Sequence, residues 1–262
     1  MYAKHVIGML AGALIAGGID STTQAAWINP PGGWQLDYTA ADNVLPDADG
    51  FSATNYQTSN PVGAAYSGLV VDGVTSETAL IMNNEPAGAA YRVWQSTSGA
   101  ATGSGTDLIT VDFRFRITDT AQPDSGEQLY VLIERPVTGS TSAYYYAAFT
   151  RDRAGLTGDN VATAIGNDWH DVRMLIDVAN NSSELYLDGA GTPTATQAGL
   201  VEGGQYNLTY FGQAGGSVKG QVELAYLRMT NSELAQVPEP ASLGLLVLGG
   251  GAMLMKRRRQ IA

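Results

Sequence analysis

The chain contains no cysteine. No disulfide can staple it, no thiolate can act as a nucleophile, and no cysteine-based metal site can form. Histidine is almost as scarce: of 262 residues only His5 and His170 are histidine. One histidine outside the N-terminal segment cannot build a histidine-based zinc site. A Ser-His-Asp arrangement around His170, with Asp168 or Asp171 beside it, lacks the nucleophile-elbow motif that would accompany it. Cations are few, 14 against 25 acidic residues, for a formal charge of −11. That balance argues against nucleic acid and anionic lipid as partners, because counterion release needs cations on the protein. Charged residues make up only 15% of the chain, and long helical periodicities and internal repeats are absent.

The two ends carry the strongest local signals. Lys4 and His5 precede an apolar run from Val6 to Ile19, and small residues follow, ending in Thr23-Gln24-Ala25-Ala26. This order predicts a secretory signal peptide over residues 1–25. Cleavage after Ala25 leaves Thr23 and Ala25 in the two small-residue positions. At the other end, Val237-Pro238-Glu239-Pro240 leads into an apolar run, 241–255, and then Lys256-Arg257-Arg258-Arg259. Pro238 and Pro240 keep the approach extended. The four cations resist translocation and hold the C-terminus in the cytoplasm. Leu243 to Met255 gives roughly 20 Å of helix against a hydrocarbon core of ~30 Å. Gly249-Gly250-Gly251 weakens it further. A marginal span suits a segment that is to be removed.

This tail, residues 237–262, closely resembles the PEP-CTERM sorting signal of bacterial surface proteins. The matching parts are Pro238-Glu239-Pro240, the apolar stretch and the Lys256–Arg259 cluster, in the family's order. The resemblance implies an exosortase as partner, cleavage near the Pro-Glu-Pro motif, an inner-membrane intermediate and a final place on the cell surface or in the extracellular matrix. It also implies a bacterium with two membranes that makes exopolysaccharide.

The body, residues 26–236, keeps nine cations and 23 anions, a formal charge of −14 (9 minus 23). Its length suits one all-β domain. Ile109, Val111, Phe113, Phe115 and Ile117 alternate with Thr110, Asp112, Arg114 and Arg116, which predicts a half-buried antiparallel strand. Leu129, Val131 and Ile133 predict a second, and Val172, Met174, Ile176 and Val178 a third. Further strands are expected over 64–71, 77–82, 89–95, 143–150, 184–187, 206–211 and 221–229. Asp72-Gly73, Asn83-Asn84, Ser125-Gly126, Asn180-Asn181 and Asp188-Gly189 supply turns between them. The expected fold is an all-β, jelly-roll-like antiparallel β-sandwich, flanked by an N-terminal signal-peptide helix and a C-terminal hydrophobic helix.

A second resemblance lies in the body. Trp169-His170-Asp171-Val172-Arg173, Ile176-Asp177, the Asn-Asn turn and Leu185-Tyr186-Leu187-Asp188-Gly189 are similar to the laminin-G and concanavalin A-like lectin/glucanase superfamily. Asp37-Tyr38, Leu45-Pro46 and Val71-Asp72-Gly73 are like its opening strands, and Tyr226-Leu227-Arg228 like its closing one. The resemblance bears on fold more than on function.

Its glucanases place a Glu-x-Asp-x-Glu or Glu-x-Asp-x-x-Glu strand at the reacting bond. No such spacing occurs here: Glu127, Glu184 and Glu223 are each followed by uncharged residues. A pair from separate strands, such as Glu127 and Glu134, is the remaining route to a glycoside hydrolase or lyase. No cofactor is required by any motif. Calcium is the best-supported ion, because Asp47-Ala48-Asp49-Gly50 sets alternate oxygen side chains at a glycine turn. The competing reading is a solvated turn. Tyr144, Tyr145 and Tyr146 are the candidate carbohydrate-binding residues, since aromatic faces stack on sugar rings. Alternation must put Tyr145 on the face opposite the other two. Trp94 and Trp169 are expected in the core, with His170 packed beside the Trp169 indole. The sequence therefore points to an exported bacterial surface or matrix protein with a lectin-like domain of structural or weak carbohydrate-binding role, and not to an enzyme. The alternative is a glycan-active enzyme of the same fold.

Overall fold

The computed structural model describes residues 27–54, 67–83, 92–96, 102–104, 107–118, 128–137, 139–156, 159–162, 165–204, 206–213 and 221–231. The signal peptide with Ala25 and the tail with Pro238, Glu239, Pro240, Lys256, Arg257, Arg258 and Arg259 lie outside them, as does Glu127. The two expected terminal helices fall in those segments.

The described residues form two antiparallel sheets. The first runs in the order β13 (Ala195–Gln197), β12 (Ser182–Leu187), β11 (His170–Asp177), β6 (Leu108–Ile117), β16 (Gln221–Thr230), β4 (Thr78–Asn83) and β3 (Ser67–Val71). Strand β1 (Leu36–Thr39) also pairs with β16, along the stretch that β4 leaves free. The second sheet runs β10 (Asp159–Ala162), β9 (Arg153–Leu156), β8 (Thr141–Thr150), β7 (Leu129–Pro136), β15 (Leu208–Gln213), β5 (Arg92–Ser96) and β2 (Ser52–Thr54). Strand β14 (Leu200–Gly203) pairs with β8. The expected antiparallel β-sandwich is present. Each of the ten expected strands is there with shifted ends. Strands β2, β9, β10, β13 and β14 are three or four residues long, too short to show a period of two.

The core lies between the sheets. Ile109, Val111, Phe113, Phe115 and Ile117 all face it and are fully buried, as the alternation predicts. Phe113 and Phe115 meet Phe149 of the second sheet, with ring centroids 5.6 and 4.6 Å apart. Each such pair adds about 1 kcal/mol beyond its buried area. Strand β16 would lose this phase after Leu224, but Ala225 is an extra residue against β6. The bulge lets both Leu224 and Leu227 face the core, and sends Glu223, Tyr226 and Arg228 outward.

The outer face of the first sheet is less exposed than simple alternation predicts. Arg173 is completely buried there and donates two hydrogen bonds of 2.7 Å to the Asp112 carboxylate. The chain start covers the pair. The Trp27 ring lies 5.1 Å from the guanidinium, and the Ile28 carbonyl accepts from it at 3.0 Å. Further along, Arg114 pairs with Glu77 and Asp171, and Arg116 with Asp72 and Glu223. Trp169 departs from the expected core position. Its ring lies over Arg116 and Arg114, at 4.8 and 5.4 Å, and its Nε1 donates to Asp72. Residue 169 has outward parity in β11, one step out of phase with Val172. Trp94 is buried in the core as expected.

Candidate functional site

The three candidate tyrosines separate by parity along β8. Tyr145 points inward and is completely buried. Its hydroxyl donates to Asn181 Oδ1 at 3.0 Å, and burial, with Asp177 adding to it, pushes its pKa up to about 12. Tyr145 is thus a core residue and offers no face to a ligand. Tyr144 and Tyr146 point outward, half-buried, with rings stacked 6.3 Å apart at 14°.

They belong to a larger patch. On β7 the outward residues are Tyr130, Leu132 and Glu134, and on β15 they are Leu208 and Tyr210. Leu132 sits opposite Tyr146 on one side and Tyr210 on the other. Tyr130 meets Tyr210 edge to face at 5.5 Å. Tyr130 and Leu132 form the buried base, and Tyr144, Tyr146, Tyr210 and Leu208 surround it half-buried. This second apolar cluster lies on the outer face of its sheet, away from the core. Its sequence signal is β7, which is apolar on both faces: Tyr130 and Leu132 lie out of phase with Leu129, Val131 and Ile133.

A carboxyl pair borders these tyrosines. Glu134 lies opposite Tyr144 on β8 and opposite Leu208 on β15. Only 6% of its surface is exposed. Ser142 Oγ donates to Glu134 Oε1 at 3.0 Å. Glu202, on β14, lies directly opposite Ser142, so the two acids flank that serine on the outer face. Burial first, and then Glu202, pushes the Glu134 carboxyl up to about 7 against the opposing pull of Ser142. Burial together with these two acids also raises the pKa of Tyr144.

Asp47 and Asp49 occupy a single 3-10 turn, Pro46–Asp49, closed by Gly50 at φ 85°. In a 3-10 turn side chains three apart eclipse, so these two leave in different directions. The alternation that suggested a shared calcium site belongs to extended chain, which this segment is not. Burial, then Asp42 and Asp37, raise the pKa of Asp49. Among the described residues no group of three or more His, Asp or Glu side chains could hold a metal ion.

His170 points inward at the mouth of the sandwich, on the face opposite Trp169, and packs on Phe115 rather than on the indole. Its Nδ1 is 2.8 Å from Asp188 Oδ2 and its Nε2 is 2.6 Å from the Ile165 carbonyl. Both partners are acceptors, an arrangement that favours the protonated ring. The hydrogen bond to Asp188 raises its pKa. No nitrogen is left to act as a base. Asp188 adopts φ 51° and also accepts from the Asp171 N–H, while its own N–H donates to the Asp171 carbonyl. The Trp-His and Asp-Gly ends of the hairpin thus lock onto each other.

No protein-family model and no curated protein matches the chain. Solved structures do. One is a carbohydrate esterase of Shiga toxin-encoding bacteriophage phi24B, 14% identical, with a TM-score of 0.51 over 76% of this chain and 99% of that one. The botulinum neurotoxin serotype G binding domain is 14% identical with a TM-score of 0.44, over 77% of this chain and 48% of that one. Peanut lectin is 10% identical with a TM-score of 0.40, over 71% of this chain and 99% of that one. At such identities the likeness is one of fold alone.

Proposed function

We propose that the protein is an exported bacterial surface or extracellular-matrix component, delivered by exosortase processing, whose sandwich holds carbohydrate weakly on the outer tyrosine face. The tail residues support the delivery route, from Pro238-Glu239-Pro240 to Arg259. The observation that carries the binding role is the stacked pair Tyr144 and Tyr146, set beside Tyr210 and the base formed by Tyr130 and Leu132. Tyrosine faces stack on the apolar faces of sugar rings while their hydroxyls meet polar groups. A shallow face leaves most sugar hydroxyls in water, so each site is weak, about 1 mM. Many copies on one surface then give useful retention.

The reading is not enzymatic. No Glu-x-Asp-x-Glu spacing occurs in the chain, and both nitrogens of His170 are engaged. A glycan array of the processed protein, with and without calcium, tests the binding role and the ion together. Tyr144→Ala and Tyr146→Ala should each lower retention on matrix polysaccharide, with far-UV circular dichroism unchanged. Parent-like retention by both variants would remove this face as the site. A parent that is not retained at all would leave a purely structural role.

A further inference from the structure

Tyrosines alone would hold many kinds of sugar. What distinguishes this face is the polar pair set into its edge. Glu134 is flanked by Tyr144 on one neighbouring strand and by Leu208 on the other, so its carboxyl belongs to the same surface as the rings. It is almost fully buried, and among the described residues its side-chain donor is Ser142. On the other side of Ser142 stands a second acid, Glu202, contributed by the outermost local strand. A buried carboxyl with another acid close by is favoured by a charged donor. No cationic side chain is paired with either group in the described residues. Over the whole body, negative charge exceeds positive by 14.

On the reading of the tyrosine face as a glycan site, we infer that its ligand is a polysaccharide carrying free primary amines, a hexosamine polymer that is at least partly deacetylated. A sugar ammonium has three donors and a positive charge. Placed beside Ser142, where Glu134 and Glu202 flank the same edge, it gives both carboxylates a charged donor. The ring that bears it lies over Tyr144, whose electron-rich face also favours a cation. An N-acetyl group in that position brings one neutral amide N–H and no charge. A polyuronate brings carboxylates against carboxylates and is rejected. The Glu pair then selects the sugar, and the tyrosines supply contact that is indifferent to acetylation.

The test uses the processed protein recovered from its producing cell, at ~150 mM salt, where charges farther apart than about 8 Å are screened. The probes are a β-1,4-linked glucosamine hexasaccharide and its fully N-acetylated counterpart, titrated by calorimetry. The expected result is about tenfold tighter binding of the amine form, the scale of one charge-assisted hydrogen bond. Glu134→Gln with Glu202→Gln should bring that ratio close to one and keep binding of the acetylated sugar. Glu202→Gln alone, at an exposed edge position, should reduce the ratio without any risk to the core. A charge-matched control, Asp47→Asn with Asp152→Asn, should keep the ratio. Equal binding of the two sugars by the parent overturns the inference and leaves the tyrosine face standing as a glycan site. So does a ratio that survives both Glu variants, or one that falls equally in the control. If neither sugar binds, the glycan reading fails and the inference falls with it.

Discussion

Tyr144 and Tyr145 are neighbours in the chain and belong to different parts of the molecule. One lines an outer face; the other fills the core and bonds Asn181. Removing only the hydroxyl, Tyr145→Phe, should cost about 1 kcal/mol and leave glycan binding unchanged. Gly199 reports the same packing from the other side. A Cβ there would stand 2.4 Å from Tyr145 Cε1, and that ring cannot retreat because it is surrounded by core. Gly199→Ala should therefore destabilise by about 1–3 kcal/mol in urea melts, the range of overpacked cores. A loss below about 0.5 kcal/mol would show that the ring has room. Parity is the part of this that sequence makes legible, since a period of two forces Tyr145 away from its neighbours. The width of the patch is not legible, because it depends on β7 and β15 lying side by side. Nor is the placing of Glu134 and Glu202 on either side of Ser142, which brings together residues 68 positions apart through β14, a strand too short to signal itself.

At the scale of elements, two features of β11 make separate predictions. Its Arg173 is buried against Asp112 beneath Trp27. Asp112→Ala leaves a guanidinium without its carboxylate and should cost about 3 kcal/mol or more. Adding Trp27→Ala opens Arg173 to water, so the double variant should lose less than the two single losses together. Urea melts of the four proteins would give the coupling, and strict additivity would mean that Trp27 does not shield the pair. At the start of the same strand, the hydrogen bond to Asp188 raises the pKa of His170. A group with a raised folded pKa stabilises fully below its unfolded value, near 6.5 for histidine, and loses that contribution as pH rises through the folded value. The Glu134 carboxyl, raised to about 7, acts in the same direction from a lower starting point. Thermal stability should therefore fall as pH rises from about 4.5 through 7 on account of Glu134, and further above about 6.5 on account of His170. His170→Gln should flatten the upper part of that fall and Glu134→Gln the lower part. Stability rising over this window would refute both assignments. The alternating charges of β6 and β11 mark the outer face of the first sheet in the sequence. That this face would carry a buried ion pair is not legible there, since the covering residues, Trp27 and Ile28, lie more than 140 positions before Arg173.

For the whole molecule, stability and delivery meet at the two ends of the body. With no cysteine, the domain rests on its core and its buried polar contacts. Trp27 already sits on Arg173, so a cut after Ala25 leaves a single residue ahead of the covering segment. At the far end, Asn231 follows the last strand and its N–H donates to Gln35. Six residues separate Asn231 from Pro238, at most about 25 Å of chain between their two Cα atoms. On the proposed delivery route, that reach would let the sandwich fold outside the membrane before the tail is cut. Cutting near Pro238 then severs chain that no described strand needs. Processing should accordingly remove about the first 25 residues and the tail without changing the fold or the melting temperature. Intact mass of the surface-extracted protein checks this against the 262-residue precursor. A mass that retains Met255 to Arg259 in an exosortase-competent cell would refute tail removal. A processed protein that melts well below the precursor would show that the tail contributes to the fold.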